Sequence, residues 1–197
     1  MVTTRHLAKK EEILEAGLEL IWRNGYNGTS VKDIVDAAGI PKGSFYQYFE
    51  SKEDFAKEAM NRVCTFAMTA IKPILSDPQL SPVGKIRKLY EMRIHMSADE
   101  FHYEKGCMLT NLTGEIANSN DYLRKLVAET WTRMIRPLVE LVQAAIDEGE
   151  ISKSHDATEL AEYLENAFRG AITSALSSRS SASYDGFMKY TFESVLI

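Results

Sequence analysis

The chain has 197 residues, 45% of them hydrophobic and 26% charged, with a formal net charge of -5. This length can bury a real core as one or two domains, and two cysteines without a CxxC pair indicate neither a disulfide framework nor a zinc site, so no metal or cofactor is expected. No stretch has the roughly 18 apolar residues that a bilayer span needs, and the start MVTTRHLAKKEE has no signal-peptide core, so the expected location is cytoplasmic with no membrane partner.

Residues 7–24 place Ile13, Gly17, Leu20 and Ile21 on one face of a first helix, and the chain then turns at Asn24-Gly25. Next, Val31, Ile34, Val35 and Ala38 fall at i, i+3, i+4 and i+7, which buries one stripe and leaves Lys32, Asp33 and Asp36 in water. Thr29 and Ser30 are good N-caps for this second helix. Gly39 can take the left-handed conformation that stops it, and Pro41 suits the start of the next. In the third helix Phe45 and Phe49 are four apart and pin it inward. Ser44, Gln47 and Tyr48 share another face, flanked by Tyr46 and preceded by Lys42 and Gly43. Two short helices joined by a glycine turn, with hydroxyls, an amide and lysines outward, form the pattern of a helix-turn-helix able to bond phosphate oxygens and base edges.

Ser51 followed by Asp54 makes a cap-like start for a long fourth helix, where Phe55, Ala59, Val63, Phe66 and Ala70 keep helical spacing to about Ile74. Pro73, Pro78 and Asp77 predict a loop from Lys72 to Pro82, after which Ser81-Pro82 caps a fifth helix carrying Ile86, Leu89, Tyr90 and Arg93. A shorter sixth helix is expected from about Gly106 to Ala117, and a seventh from Asn120-Asp121 to Gly149 with a kink at Pro137. Asp156 and Glu159 look like a capping box for an eighth helix through about Ser178. Residues 177–183 form a polar connector, and Tyr184 to Leu196 a ninth helix. With no repeat, strand alternation or hairpin signal, the fold class is all-α.

The run GYNGTSVKDIVDAAGIPKGSFYQYFESKEDF, from Gly25 to Phe55, resembles the DNA-binding signature of the TetR family of bacterial repressors. The likeness covers roughly residues 8 to 60 and fixes glycines, aromatics and caps together. It implies an N-terminal three-helix DNA-binding domain, residues 1–50, on a C-terminal helical ligand-binding and dimerisation bundle, residues 51–197, of about nine helices in all. The partners implied are a double-stranded DNA operator, a second copy of the chain in a homodimer, and a small-molecule effector whose identity stays open.

The expected DNA-binding residues are Thr29, Ser30, Lys32, Lys42, Gly43, Ser44, Tyr46, Gln47, Tyr48 and Lys52. Thr29, Tyr46, Tyr48 and Lys52 are assigned to phosphate, and Lys32, Lys42, Ser44 and Gln47 to bases. The first 52 residues hold seven Lys/Arg and seven Asp/Glu, so the basic groups are clustered locally and the domain is not basic as a whole. Modest non-specific affinity and a salt-dependent specific complex follow.

In the eighth helix Gly170, Ser174 and Ser178 repeat beside Ala167, Ala171 and Ala175, and Phe187, Thr191 and Val195 make a stripe on the ninth. Such narrow faces serve monomer cores and close helix pairs alike. The family resemblance implies the second, with dimerisation through the last two helices and an interface including Ala167, Gly170, Ala171, Ser174, Phe187, Thr191 and Val195. A ligand site within the bundle is implied in the same way. Candidate lining is Phe66, Tyr90, Cys107, Met108, Asn111, Trp131 and Phe168, each of which also fits an ordinary core position.

The stretch Lys105 to Leu112 resembles the start of helix six in the TetR branch that includes the N-ethylmaleimide-reductase repressor, a sensor of electrophiles and oxidants. A thiol at a helix start beside a lysine ionises more easily, so Cys107 reads either as a chemical sensor or as a small core residue. Two rival readings of the chain stay open. One is a helical adaptor using the N-terminal domain for protein contacts. The other is a small enzyme, although His6, His95, His102 and His155 are scattered and no carboxylate sits at a recognisable catalytic spacing from them.

Overall fold

A computed structural model describes residues 4–197; the first three residues of the expected DNA-binding domain lie outside the described residues. Among the described residues there are nine α-helices and no strand: α1 (Thr4–Asn24), α2 (Val31–Ala37), α3 (Lys42–Phe45), α4 (Lys52–Leu75), α5 (Pro82–His95), α6 (Met108–Ile116), α7 (Asp121–Asp147), α8 (Ala157–Ser178) and α9 (Ala182–Tyr190). Two π-helical turns, Met96–Glu100 and Thr191–Val195, extend α5 and α9. The expected all-α class is observed.

The chain forms two compact units. One contains the chain up to Thr65 together with Met108–Thr130, and the other contains Phe66–Cys107 with Trp131–Ile197. The division cuts α4 after Thr65 and α7 after Thr130, and it groups α6 with the N-terminal helices.

In the first unit α1 buries Ile13, Leu14, Gly17 and Ile21. Gly17 is required by close packing: a Cβ there would lie 2.5 Å from Cζ of Phe55 and 3.0 Å from Cγ2 of Ile34. Ser30 caps α2 in a full capping box, its hydroxyl accepting from the Asp33 N–H while the Asp33 carboxylate accepts from the Ser30 N–H. Gly39, at φ +62°, turns the chain out of α2 as its position requires. The helix expected to run through Phe49 is shorter than its pattern implied. Only Lys42–Phe45 is α-helical, and Tyr46–Tyr48 continue as turns. Ser51 starts α4 as expected, its hydroxyl accepting from the Asp54 N–H at 3.1 Å, while the Asp54 carboxylate accepts from the Glu50 N–H.

The second unit is built on α5, α8 and α9 with the C-terminal parts of α4 and α7. Its core joins Ile86, Leu89 and Tyr90 to Val142, Ala145, Leu164, Phe168, Tyr184 and Phe187. Ser81 caps α5 with Pro82 at its first position, and the Asp156 carboxylate caps α8 by accepting from the N–H groups of Thr158 and Glu159. The loop predicted from Lys72 starts later than expected, because α4 runs through Pro73 to Leu75. The proline removes one ladder hydrogen bond in the last turn, where the Ser76 hydroxyl donates to the Lys72 and Pro73 carbonyls.

Candidate nucleic-acid interface

Three aromatic rings fix the reader segment. Phe45, Phe49 and Phe55 are essentially buried, with ring centroids 5.2 Å apart for Phe45 and Phe49, and 5.0 Å for Phe49 and Phe55. Edge and tilted packing of this kind locks a single turn of helix that could not hold alone. With Phe45 anchored inward, Lys42, Gly43, Tyr46 and Gln47 are left exposed, Tyr46 at 59%. Ser44 and Tyr48 are half-buried. An added Cβ at Gly43 would meet nothing within 4 Å among the described residues, so they leave that backbone open to a close approach.

The remaining predicted contacts are placed differently. Lys32 is exposed and pairs with Asp36 at 2.5 Å on the same helix. The Ser30 hydroxyl is engaged in the α2 cap. Thr29 is the clear correction: it is fully buried and its hydroxyl donates to the Gly25 carbonyl at 2.8 Å, so its side chain braces the α1–α2 turn and cannot reach a phosphate. Lys52 is half-buried, its ammonium donating to the Tyr26 carbonyl at 2.6 Å and lying 4.0 Å from the Tyr26 ring centroid. Burial lowers the Lys52 pKa against the pull of Glu53 and Glu115. His6 stacks on Tyr48 with centroids 4.5 Å apart, a support for the reader that no periodicity signalled.

On α8 and α9 the predicted interface residues gather at one place. Ala167, Gly170, Ala171, Ser174, Phe187, Thr191 and Val195 all line an open groove of about 340 Å³, joined by Tyr163, Ser183, Gly186 and Tyr190. Tyr163 and Tyr190 are 56% and 64% exposed and frame it. Their four-residue offset from Ala167 and Gly186 puts them on the same helical faces as the small residues.

Of the candidate effector residues, Tyr90 and Phe168 pack together, with ring centroids 4.9 Å apart. Phe66 is 62% exposed and Asn111 is exposed, while Tyr90, Met108 and Phe168 are buried. Trp131 is half-buried beneath the Arg169 guanidinium, 4.1 Å from the ring. Met108 and Asn111 belong to the first unit and the other five to the second.

The second unit also holds a polar cluster. Arg93 donates to both carboxylate oxygens of Glu165, at 2.8 and 2.7 Å, and lies 4.3 Å from the Phe168 ring centroid. Burial opposes both charges, and each partner overrides it for the other: the Arg93 pKa is raised and that of Glu165 lowered. Cys107 is half-buried and within electrostatic reach of Arg93. The Tyr90 hydroxyl is buried with no hydrogen-bond partner among the described residues, and burial pushes its pKa up.

A chain whose described residues form helices and no strand, with an exposed polar face on a pinned helix-turn-helix and a second, larger helical unit, defines a DNA-binding transcriptional regulator. Residues 13–59 match the profile of bacterial regulatory proteins, tetR family, and residues 82–191 that of the tetracyclin repressor-like C-terminal domain. The chain is 26% identical over 187 residues to the HTH-type transcriptional repressor DhaR of Mycobacterium sp. (strain GP1), covering 95% of this chain and 92% of that protein. It is 32% identical over 168 residues to the transcriptional regulator AcuR of Cereibacter sphaeroides, covering 84% and 75%. The crystal structure of reduced E. coli NemR shares its fold, with a TM-score of 0.83 at 21% identity over 93% of this chain and 94% of that one. The chain belongs to the TetR family of bacterial regulatory proteins.

Proposed function

We propose that the chain is a homodimeric repressor whose N-terminal residues 1–50 bind a near-palindromic operator and whose residues 51–197 dimerise and receive an effector that releases the DNA. The observation that carries this is the outward face of Lys42, Gly43, Tyr46 and Gln47 over the buried Phe45, Phe49 and Phe55. Lys42 and Gln47 supply donors for base edges, and Tyr46 and Tyr48 hydroxyls for phosphates. Lys32 and Ser44 join the base-reading set. Lys52 reaches a phosphate only if its ammonium leaves the Tyr26 carbonyl.

Dimerisation through the α8–α9 groove supplies the two-fold symmetry that a near-palindrome mirrors, with reading helices about one DNA turn apart. Exposed Ala167, Gly170 and Ser174 allow a partner helix to approach closely, and the framing tyrosines add apolar area. The effector acts by binding the released state more tightly, by about 1 to 3 kcal/mol for a useful switch. Tyr90, Phe168 and Cys107 in the second unit are the residues we assign to it.

For Cys107 the effector is an electrophile. The Cys107 thiol is only partly buried, which leaves it open to such a reagent. With N-ethylmaleimide the sulfur bonds to one alkene carbon, the alkene π bond is lost, and the thiol proton ends on the neighbouring carbon.

Selection from a random duplex pool followed by gel shift tests the reading. The wild type enriches a near-palindrome, Tyr46→Ala and Lys42→Ala each weaken the shift, and N-ethylmaleimide releases wild type but not Cys107→Ser. Failure to enrich any duplex overturns the repressor reading in favour of an adaptor or an enzyme. Equal release of both proteins removes Cys107 alone.

A further inference from the structure

We propose that Glu115, near the end of α6 and outside the helix-turn-helix, is a positioning residue for operator binding: it clasps the α1–α2 turn from which the reader helices start. The inference rests on the reading that the chain binds an operator.

The turn from Gly25 to Thr29 has supports from three directions. Within the turn, the Thr29 hydroxyl donates to the Gly25 carbonyl at 2.8 Å. From α4, the Lys52 ammonium donates to the Tyr26 carbonyl at 2.6 Å. From α6, the Glu115 carboxylate accepts from the Asn27 backbone N–H at 2.9 Å, and the Glu115 carbonyl accepts from the Asn27 side-chain amide at 3.3 Å. Gly25 completes the clasp. It holds φ +75°, and an added Cβ would lie 2.4 Å from Oε1 of Glu115, so the absent side chain is what lets the carboxylate sit against the turn.

Helix stability does not account for this placement. A carboxylate in the last turn of α6 opposes the helix dipole, and that turn carries no basic residue. The pairing with Asn27 does account for it: the carboxylate accepts from the Asn27 N–H, and the Asn27 amide joins the Ser119 hydroxyl in donating to the Glu115 carbonyl at the helix end, where ladder partners run out. The turn leads directly to Ser30, the N-cap of α2. Holding it therefore fixes where α2 begins and, through the Gly39 turn, the orientation of the face bearing Lys42 and Gln47.

Simple electrostatics and the clasp predict opposite signs. Deleting an anion from a protein that binds a polyanion tightens binding by charge alone, whereas deleting a clasp loosens the reader and weakens binding. The test uses the full chain and an operator selected by the wild type. Glu115→Ala weakens affinity about tenfold, as loss of a hydrogen bond to a charged group allows. Glu115→Gln keeps an acceptor for the Asn27 N–H without the charge and binds at least as tightly as wild type.

Hydrogen exchange supplies a readout without DNA: the Asn27 amide is protected in the wild type and in Glu115→Gln, and exchanges freely in Glu115→Ala. Wild-type or tighter operator binding by Glu115→Ala overturns the proposal, as does an equal loss in both variants. If the wild type selects no operator, the repressor reading fails by itself, and the Asn27 amide still reports whether the clasp exists.

Discussion

Arg93 and Glu165 meet at two points, Nη1 to Oε2 at 2.8 Å and Nη2 to Oε1 at 2.7 Å, and so tie α5 to α8 beside the Phe168 ring. The pair sits where the Tyr90, Phe168, Tyr184 and Phe187 rings pack together. Two charges in so apolar a setting are tolerable only as a pair, since each alone would keep its desolvation cost.

Glu165→Gln leaves the Arg93 guanidinium without its counter-charge, and the expected loss is about 3 kcal/mol, measured by denaturant unfolding at neutral pH. The pH dependence follows from the lowered Glu165 pKa. A carboxyl with a depressed folded-state pKa stabilises the fold above its unfolded-state value, and that contribution is lost as pH falls through the folded-state value. The gap in Tm between wild type and Glu165→Gln therefore narrows as the medium is acidified below the ordinary carboxylate range. A gap that widens with acid contradicts the pairing.

Gly170 lines the α8–α9 groove, is exposed, and has nothing within 4 Å of an added Cβ. The Cβ that Gly170→Leu adds therefore meets no described atom of the single chain, and replacing a mid-helix glycine improves helix propensity by several tenths of a kcal/mol. On a dimer interface the same side chain occupies the space a partner helix needs. The expected result is a monomer by light scattering with an unchanged or higher Tm, and loss of specific operator binding. A dimer of normal mass would move the interface elsewhere.

Much of this was legible in the sequence, for reasons that differ by element. The caps were readable because capping is local: Ser30, Ser51, Ser81 and Asp156 each lie within three residues of the N–H they serve. The α8–α9 face was readable because small residues at helical spacing share a side. The true extent of α3 was not, since Phe45 and Phe49 are four apart in an α-helix and can also both point inward from a helical turn followed by tighter turns. The place of Thr29 is not legible either, because a threonine beside a cap looks the same in sequence whether its hydroxyl faces water or the Gly25 carbonyl. Glu115 and Asn27 are 88 residues apart, a pairing that no local pattern encodes.

Gly39 isolates a backbone effect. It holds φ +62°, and a Cβ there would meet nothing within 4 Å, so Gly39→Ala adds strain without a clash. The expected cost is about 1 kcal/mol in chemical unfolding. Operator affinity falls more than this alone requires if the turn also sets the angle between α2 and α3. An unchanged midpoint and unchanged affinity would mean that the turn relaxes freely.

Lys42 and Lys52 separate direct contact from support. Lys42 is exposed at the start of α3, and Lys42→Ala should reduce the slope of log affinity against log salt by about one, as loss of one phosphate or base-edge cation does. Lys52→Met retains the stem over Tyr26 but loses the donation to its carbonyl, so stability drops by about 1 kcal/mol with a smaller change in slope. Equal slope changes in the two variants would show that the Lys52 ammonium moves onto the DNA.

Tyr90 offers the most unusual sign. Its hydroxyl is buried without a hydrogen-bond partner among the described residues, although the ring packs against Phe168 at 4.9 Å and Phe187 at 4.8 Å. A buried polar group without a partner carries its desolvation cost with no return, so Tyr90→Phe keeps the ring contacts and removes the cost. A core substitution usually destabilises; this one should raise stability by about 1 kcal/mol, read as a higher denaturation midpoint at unchanged slope. If the hydroxyl is held in reserve for an effector, the same variant binds operator normally and responds to effector less. A lower midpoint in Tyr90→Phe would instead mean that the hydroxyl already has a partner, such as an ordered water, in solution.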